Sequence, residues 1–486
     1  MKYISTRGLK EEVPASEAIL NGLAPDGGLY IPTQIPYYDI KNKRFLNNTY
    51  QELAFDIMAP FLADFTEIEL KSCIAQAYDE KFTNELIAPV KKVGNDYYLE
   101  LFHGPTLAFK DMALSILPYL MTTSLKKQKV KEDIVILTAT SGDTGKAAMA
   151  GFANVPRTKI IVFYPKEGVS KIQERQMLTQ EGANTFVVGI NGNFDQAQTT
   201  VKQMFNDSEL KDQLKKNKQQ FSSANSINIG RLIPQIVYYF YAYQQLVLSK
   251  EIELGEVINV SVPTGNFGNI LAGYYAKEMG LPISQLICAS NKNNVLTEFF
   301  KTGHYDKNRE FYVTNSPSMD ILISSNLERL LSLITERDPS RLNEMMLDLA
   351  HKGEYSLAAE EKQQLKDFYS GFATEEEIAL IVKQVFDKEN YVIDPHTAVA
   401  KKVADDYLKT NVSDLKTIIV STASPYKFPA VFLGEAGLAN EVEKLSELTG
   451  LAIPNSVMEL ATLPLRHDRV VDVSVMKNTV LSLLNS

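Results

Sequence analysis

The chain has 486 residues, with 50 Lys and Arg against 59 Asp and Glu, giving a net charge of −9. That length predicts more than one domain with sizeable cores, and 45% hydrophobic with 22% charged residues is the make-up of a folded globular protein rather than a disordered one. The acidic balance excludes a general nucleic-acid binder, which needs surplus Lys and Arg to neutralise phosphates.

Residues 1–95 hold few clean strand–helix units and several turn signals, NGLAPDGGLYIP among them, and read as an N-terminal domain. The opening residues, MKYISTRGLKEEVPAS, carry no apolar leader and no Arg/Ser-rich transit pattern, so the expected location is the cytoplasm. From about residue 130 short apolar runs alternate with helical stretches. The predicted strands are 134–140, 159–165, 184–190, 257–263, 285–290 and 416–422. Such runs between helices predict an α/β fold with parallel sheets covered on both faces. Residues 320–390 read as mainly helical. The uncharged stretch from Leu232 to Ser249 contains Pro234, three Gln and four Tyr, which are costly in hydrocarbon, so it is expected to be a buried helix rather than a membrane span. Cys73 and Cys288 form no CxxC pair and the five histidines no HExxH, so neither a disulfide scaffold nor a Cys- or His-based metal site is expected.

Open α/β sheets bind ligands at the carboxyl ends of their strands. Four segments have the residues to use that position. Ser141-Gly142-Asp143-Thr144-Gly145 follows the strand at 134–140, and its small residues and hydroxyls suit an anion at a helix N-terminus; it serves equally as an ordinary helix cap. Gly265-Asn266-Phe267-Gly268-Asn269 has the glycines and asparagines of an anion-binding nest, or of a plain tight turn. Asn225, Ser226 and Arg231 gather an amide, a hydroxyl and a guanidinium suited to a phosphate or carboxylate, unless Arg231 meets a structural carboxylate. Lys110 follows the apolar run Leu107-Ala108-Phe109, where desolvation would lower its pKa and make it a nucleophilic amine; most lysines are surface charges. Together the four point to a phosphorylated cofactor, a reactive lysine and a second anionic ligand.

The segments LFHGPTLAFKD, ATSGDTGKAA, SINIGR, VPTGNFGN, SPSMDI, DPHTAVA and STASPYKF, with the N-terminal STRG and GLAPDGGLYIP, resemble the threonine synthase family. Its members are pyridoxal 5′-phosphate (PLP) enzymes of fold type II, and the likeness is greatest to the longer bacterial and fungal branch. The resemblance runs from about residue 4 to about residue 430. It implies an α/β fold like that of tryptophan synthase β, with two open parallel-sheet domains and an N-terminal extension. The expected division is 1–95, then a large PLP-binding domain of 96–124 and 228–486 (with a helical insert at about 320–390), and a small mobile domain of 125–227. The branch is usually monomeric, with a homodimer as the alternative.

Carried over by position, the resemblance implies that Lys110 forms the Schiff base with PLP and later moves protons. The loop Gly265, Asn266, Phe267, Gly268 and Asn269 would hold the cofactor phosphate through backbone amides. Thr422 would meet the pyridine nitrogen. Asp143 stands where related enzymes place an Asn beside the cofactor's 3′-oxygen, which changes the local proton balance. Ser141, Gly142 and Thr144 would receive the substrate carboxylate, and Asn225, Ser226 and Arg231 the substrate phosphate. Position 424, often His in the family, is Ser424 here, which leaves open any contact made by that His. The implied reaction converts O-phospho-L-homoserine and water to L-threonine and phosphate, the final step of threonine biosynthesis. One rival is a phospholyase of the same fold, which needs the same lysine and phosphate pocket but releases a 2-oxo acid. The other is a non-catalytic ligand-binding protein, which would have lost the Schiff-base lysine.

Overall fold

The computed structural model describes residues 1–8, 11–140, 142–167, 169–411, 414–433 and 438–484. Two open sheets organise them. The larger has six strands in the order Phe368–Phe372, Ile283–Ser290, Ile258–Pro263, Thr417–Ser421, Asp96–Glu100 and Val90–Val93, all parallel except the last. The smaller has five parallel strands in the order Val470–Asp472, Thr185–Asn191, Thr158–Pro165, Asp133–Ala139 and Gln219–Ser222.

The continuous apolar runs exist because both faces of each sheet are buried. In the larger sheet Tyr98, Ile287 and Ile419 pack under helix Pro395–Thr410, while their neighbours Leu99, Leu286 and Ile418 face the opposite core. The smaller sheet repeats the alternation: Val135, Leu137 and Ile161 face helix Phe194–Asn206, and Ile134, Ile136 and Ile160 face helix Asp143–Phe152. Side chains alternate across a strand, so a strand covered twice must be apolar throughout.

The uncharged stretch is the helix Ile229–Leu248, buried along nearly its whole length in the shared core. Asn228 caps it by accepting from the Gly230 N–H at 2.9 Å, and its amide donates to Ile19 O and Ser223 O. Among the described residues no helix is long and apolar enough to cross a membrane.

Two predicted boundaries move. Val90–Val93 pairs antiparallel with Asp96–Glu100, so the segment before residue 95 already belongs to the larger sheet. At the other end, Val470–Asp472 pairs with Thr185–Asn191 and helix Met476–Leu484 packs beneath the smaller sheet, so 228–486 is not one unit. Residues 320–390 hold helices from Leu327–Ile334 to Glu375–Glu389, together with the short strand Glu354–Ser356 and the edge strand Phe368–Phe372. The N-terminal helices Tyr50–Met58 and Glu67–Ala77 bury Leu53, Ile57 and Ile74 in the core that also holds helix Ile229–Leu248.

Candidate active site

The loops leaving five parallel strands (Asp96–Glu100, Ile258–Pro263, Thr417–Ser421, Asp133–Ala139 and Gln219–Ser222) carry the predicted residues, at the carboxyl ends where α/β sheets bind ligands. Between them lies a cleft of about 1130 Å³, lined by Lys110, Thr144, Asn225, Ser226, Asn266 and Ser318 among others. Ser141 lies outside the described residues.

Lys110 is the N-cap of the short helix Asp111–Leu114. Its loop is stitched to the loop after strand Thr417–Ser421. Phe109 N donates to Thr422 O at 2.8 Å, Ser424 N donates to Leu107 O at 3.0 Å, and Ala108 and Ala423 form an antiparallel bridge. Asp111 braces the loop from within, accepting from Thr106 N at 2.8 Å and Thr106 Oγ1 at 2.6 Å. A side chain at Gly104 would sit 2.5 Å from Asp111 Cβ, so glycine is required there. Burial pushes the Asp111 carboxyl up to about 6 despite the Thr106 bonds.

The Lys110 amine donates to Ser318 Oγ at 3.2 Å and to Asp143 Oδ2 at 3.5 Å. Burial lowers its pKa, and the nearby cations Lys427 and Arg231 act in the same direction, while Asp143 opposes them. Lys110 is thus desolvated, the condition under which an amine becomes a better nucleophile. Burial alone would raise the Asp143 pKa. Instead Lys427, Lys110 and Gln173 hold its carboxyl well below the usual carboxylate range. Lys427 Nζ lies 2.5 Å from Asp143 Oδ1, and Gln173 Nε2 donates to the same oxygen at 2.8 Å.

The turn 142–145 is less open to ligand than its composition suggests. The N–H groups of Gly142 and Gly145 both donate to Thr140 Oγ1, at 3.0 and 2.9 Å, which leaves Thr144 lining the cleft. In the loop 265–269 the side chains of Phe267 and Asn269 are structural. Phe267, at φ 63°, is buried with Phe300 and Phe368 around its ring, and Asn269 Oδ1 accepts from the hydroxyls of Tyr238 and Tyr239. The backbone of this loop, the exposed Asn266 side chain and the unpartnered Asn269 Nδ2 are left to meet a ligand. An added Cβ at Gly268 meets nothing closer than 3.5 Å, with Asn326, Gln235 and Ser226 around it.

Ser226 therefore brings the third segment beside this loop. Asn225 Oδ1 accepts from Thr138 Oγ1 at 3.0 Å. Arg231 is 3% exposed and donates through one amino group to Ala224 O at 3.0 Å. Its Nε has no partner, and it forms no ion pair among the described residues. Burial lowers its pKa to about 10. The structural-carboxylate alternative thus has no support in the geometry. A buried guanidinium without a counter-ion is costly unless an anion completes it.

Comparison with known proteins fits this geometry. Residues 2–78 match the family model described as threonine synthase N terminus, and residues 85–423 match that of pyridoxal-phosphate dependent enzymes. The threonine synthase of Pseudomonas aeruginosa is 38% identical over 433 residues, covering 88% of this chain and 89% of that protein. The chain belongs to the threonine synthase family. It is also 41% identical over 452 residues to threonine synthase-like 1 of Homo sapiens, and covers 88% of this chain but 60% of that protein; it spans about three fifths of the length of such relatives. Two solved structures superpose throughout: PLP-bound threonine synthase from Brucella melitensis (35% identity, TM-score 0.88, 100% of both chains) and yeast threonine synthase (33% identity, TM-score 0.89, 100% and 99%). The fold is accordingly α/β, of PLP fold type II.

The cofactor of this family is PLP, and the site fits it. A desolvated lysine, Arg231 with its Nε unpartnered and a glycine loop with room for a ligand are what a phosphorylated aldehyde and a phosphorylated substrate require. Sequence reasoning missed Ser318, Gln173, His396 and Lys427. His396 is 2% exposed, pairs with Asp394 at 2.7 Å through Nδ1 and accepts from Ser318 N at 3.3 Å. Ser318, His396 and Lys427 lie in SPSMDI, DPHTAVA and STASPYKF, which contribute to the family likeness, and Gln173 lies outside these segments; a lone Ser, Gln, His or Lys carries no chemical signal of its own. Ser424, in place of the expected His, accepts from Tyr426 N at 3.4 Å and caps the turn Pro425–Lys427.

Proposed function

We propose that the chain is a threonine synthase, converting O-phospho-L-homoserine and water to L-threonine and inorganic phosphate with PLP as cofactor. The observation that carries the substrate assignment is Arg231, a buried cation near Lys110 with an unpartnered Nε. Lys110 would hold PLP, the backbone of Gly265–Asn269 its phosphate, and Thr422 its ring nitrogen, with Asp143 beside the 3′-oxygen. Thr144, with Ser141 and Gly142, is assigned to the substrate carboxylate, and Asn225, Ser226 and Arg231 to its phosphate.

When bound, the cofactor withdraws electrons from the substrate carbons next to its amino group and makes their protons acidic. Lys110 Nζ, kept short of its usual proton affinity by burial and neighbouring cations, takes the Cα proton and later returns it. A second proton is removed from Cβ, and the electrons of that C–H bond form the Cβ–Cγ double bond as phosphate leaves Cγ; Arg231 and the helix N-terminus at Ile229 hold the phosphate group and offset its charge. Cγ then takes up a proton, and water adds at Cβ. Ser318 Oγ and Asp143 fix the direction of the Lys110 side chain between its two tasks.

This reading places the enzyme in the cytoplasm, acting as a monomer on a small phosphorylated amino acid, with the unit around the smaller sheet moving as a domain. Incubating the PLP-loaded protein with O-phospho-L-homoserine and quantifying threonine, 2-oxobutyrate and phosphate together tests it. Threonine equal to phosphate is expected. Phosphate matched by 2-oxobutyrate means a phospholyase, and no phosphate from protein that binds PLP means another substrate or a non-catalytic protein.

A further inference from the structure

The least expected group in the site is Lys427. It is fully buried, at 0% exposure, yet its amine lies 2.5 Å from Asp143 Oδ1 and donates to Thr106 O at 3.0 Å. These partners come from different parts of the fold. Asp143 opens a helix of the smaller sheet's unit, whereas Thr106 sits in the loop that carries Lys110. Lys427 therefore ties the two units together at the point where Asp143 meets the reactive amine. The Asp143 carboxylate is divided between them: Oδ1 faces Lys427 and Gln173, while Oδ2 accepts from Ser318 Oγ at 3.1 Å and from Lys110 at 3.5 Å.

A lone buried carboxylate at this distance would stabilise a protonated Lys110 and stop it acting as nucleophile or base. A second cation on the far oxygen removes most of that bias. We propose that Lys427 is a positioning residue for Lys110: it balances the charge of Asp143 from the opposite side, keeping Asp143 ionised and the Lys110 amine neutral. Arg231 adds to the positive field on Lys110. Asp111 and Lys146, the other charged groups that interact with Lys427, offset each other in sign. Gln173 and Ser318 donate without adding charge.

The inference rests on the assignment of Lys110 as the PLP lysine, but not on the substrate. The test is the rate at which the full chain, resolved of PLP, takes up added PLP as a function of pH, followed by visible absorbance. Uptake reads the neutral fraction of Lys110 directly. No uptake by the unaltered protein would count against the PLP assignment itself, separately from the role of Lys427. With uptake established, Lys427→Met should move the profile to higher pH by about one unit or more, and Asp143→Asn to lower pH. The double variant should return towards the unaltered protein, because both charges are gone. If Lys427→Met does not fold, the double variant compared with Asp143→Asn alone decides, since the two differ only at Lys427: the double variant should titrate at higher pH, and coinciding profiles overturn the proposal. Profiles that coincide with the unaltered protein for each folded variant overturn the proposal.

Discussion

Phe109 donates its backbone N–H to the carbonyl of Thr422 at 2.8 Å, joining residues more than three hundred positions apart at the reactive lysine. With the Ala108–Ala423 bridge and the Ser424–Leu107 bond, it makes the Lys110 loop a short extra ladder on the larger sheet. Lys110 is thus aimed by backbone bonds that do not depend on its own side chain.

That independence makes Lys110→Ala a clean test. The loop should keep its ladder, so the melting temperature without PLP should change little. Borohydride treatment of the PLP-loaded protein should add no mass to the variant, while the unaltered chain gains one reduced PLP. Turnover should fall by at least about 10²–10⁴-fold, the typical contribution of a positioned acid–base group. Retained covalent PLP in the variant would move the assignment to another lysine, with Lys146, whose pKa burial and Lys427 lower to about 8, the next to examine.

Arg231 should trade stability for binding. It is buried with Nε unsatisfied, so Arg231→Met replaces an uncompensated charge with apolar volume and should raise the melting temperature of the ligand-free protein. The same change should raise KM for O-phospho-L-homoserine about 10–100-fold, from the loss of about 1.5–3 kcal/mol of charge-assisted hydrogen bonding. PLP content should not change. Loss of PLP would show that the two phosphate sites are assigned the wrong way round.

The match between expectation and structure has a physical pattern. The six strands read from the sequence are found at nearly the expected residues, because strands buried on both faces must be apolar throughout. Val90–Val93, Phe368–Phe372, Gln219–Ser222 and Val470–Asp472 were not legible, and neither was Asp96–Glu100. The first four are edge strands, where one side lacks a partner and polar residues such as Lys91, Lys92 and Gln219 are tolerated. Asp96–Glu100 is interior, but its charged ends leave an apolar run of only three residues, Tyr97 to Leu99. The site divides in the same way. Lys110, Asp143, Ser226 and Arg231 sit in motifs whose composition carries chemistry. Lys427, Ser318 and His396 matter only through what the fold places beside them, and no local spacing announces that.

Asp111 should give stability a distinctive pH dependence. Its carboxyl titrates at about 6 in the folded chain against an ordinary value of 3.8. The folded state therefore binds a proton more tightly than the unfolded one, and its stability falls as pH rises through the window from about 4 to about 6. The difference corresponds to roughly 3 kcal/mol. Asp111→Asn lacks this titration. Its deficit in melting temperature relative to the unaltered chain should be largest near pH 4 and shrink by pH 7. A constant deficit across that range would place the Asp111 pKa at its ordinary value. Asp143, held far below the carboxylate range, acts in the opposite sense and loses its contribution only as the pH falls below about 4.

The two glycines of the proposed phosphate loop should respond differently to the same added methyl group. A Cβ at Gly265 would lie 2.7 Å from Ser318 O and 3.1 Å from Met319 Cα, both backbone atoms that cannot rotate away. Gly265→Ala should therefore displace the segment that bonds Lys110 through Ser318, lowering both stability and activity. At Gly268 the nearest atoms are side chains at 3.5 Å and beyond, an ordinary contact distance, so Gly268→Ala should fold with an unchanged melting temperature. If the loop cradles the cofactor phosphate, the added methyl occupies room the phosphate needs, and PLP affinity should fall about tenfold or more by equilibrium dialysis. Unchanged PLP affinity in a stable Gly268→Ala variant would mean that the phosphate sits elsewhere, with the Asn225–Arg231 segment as the remaining anion site.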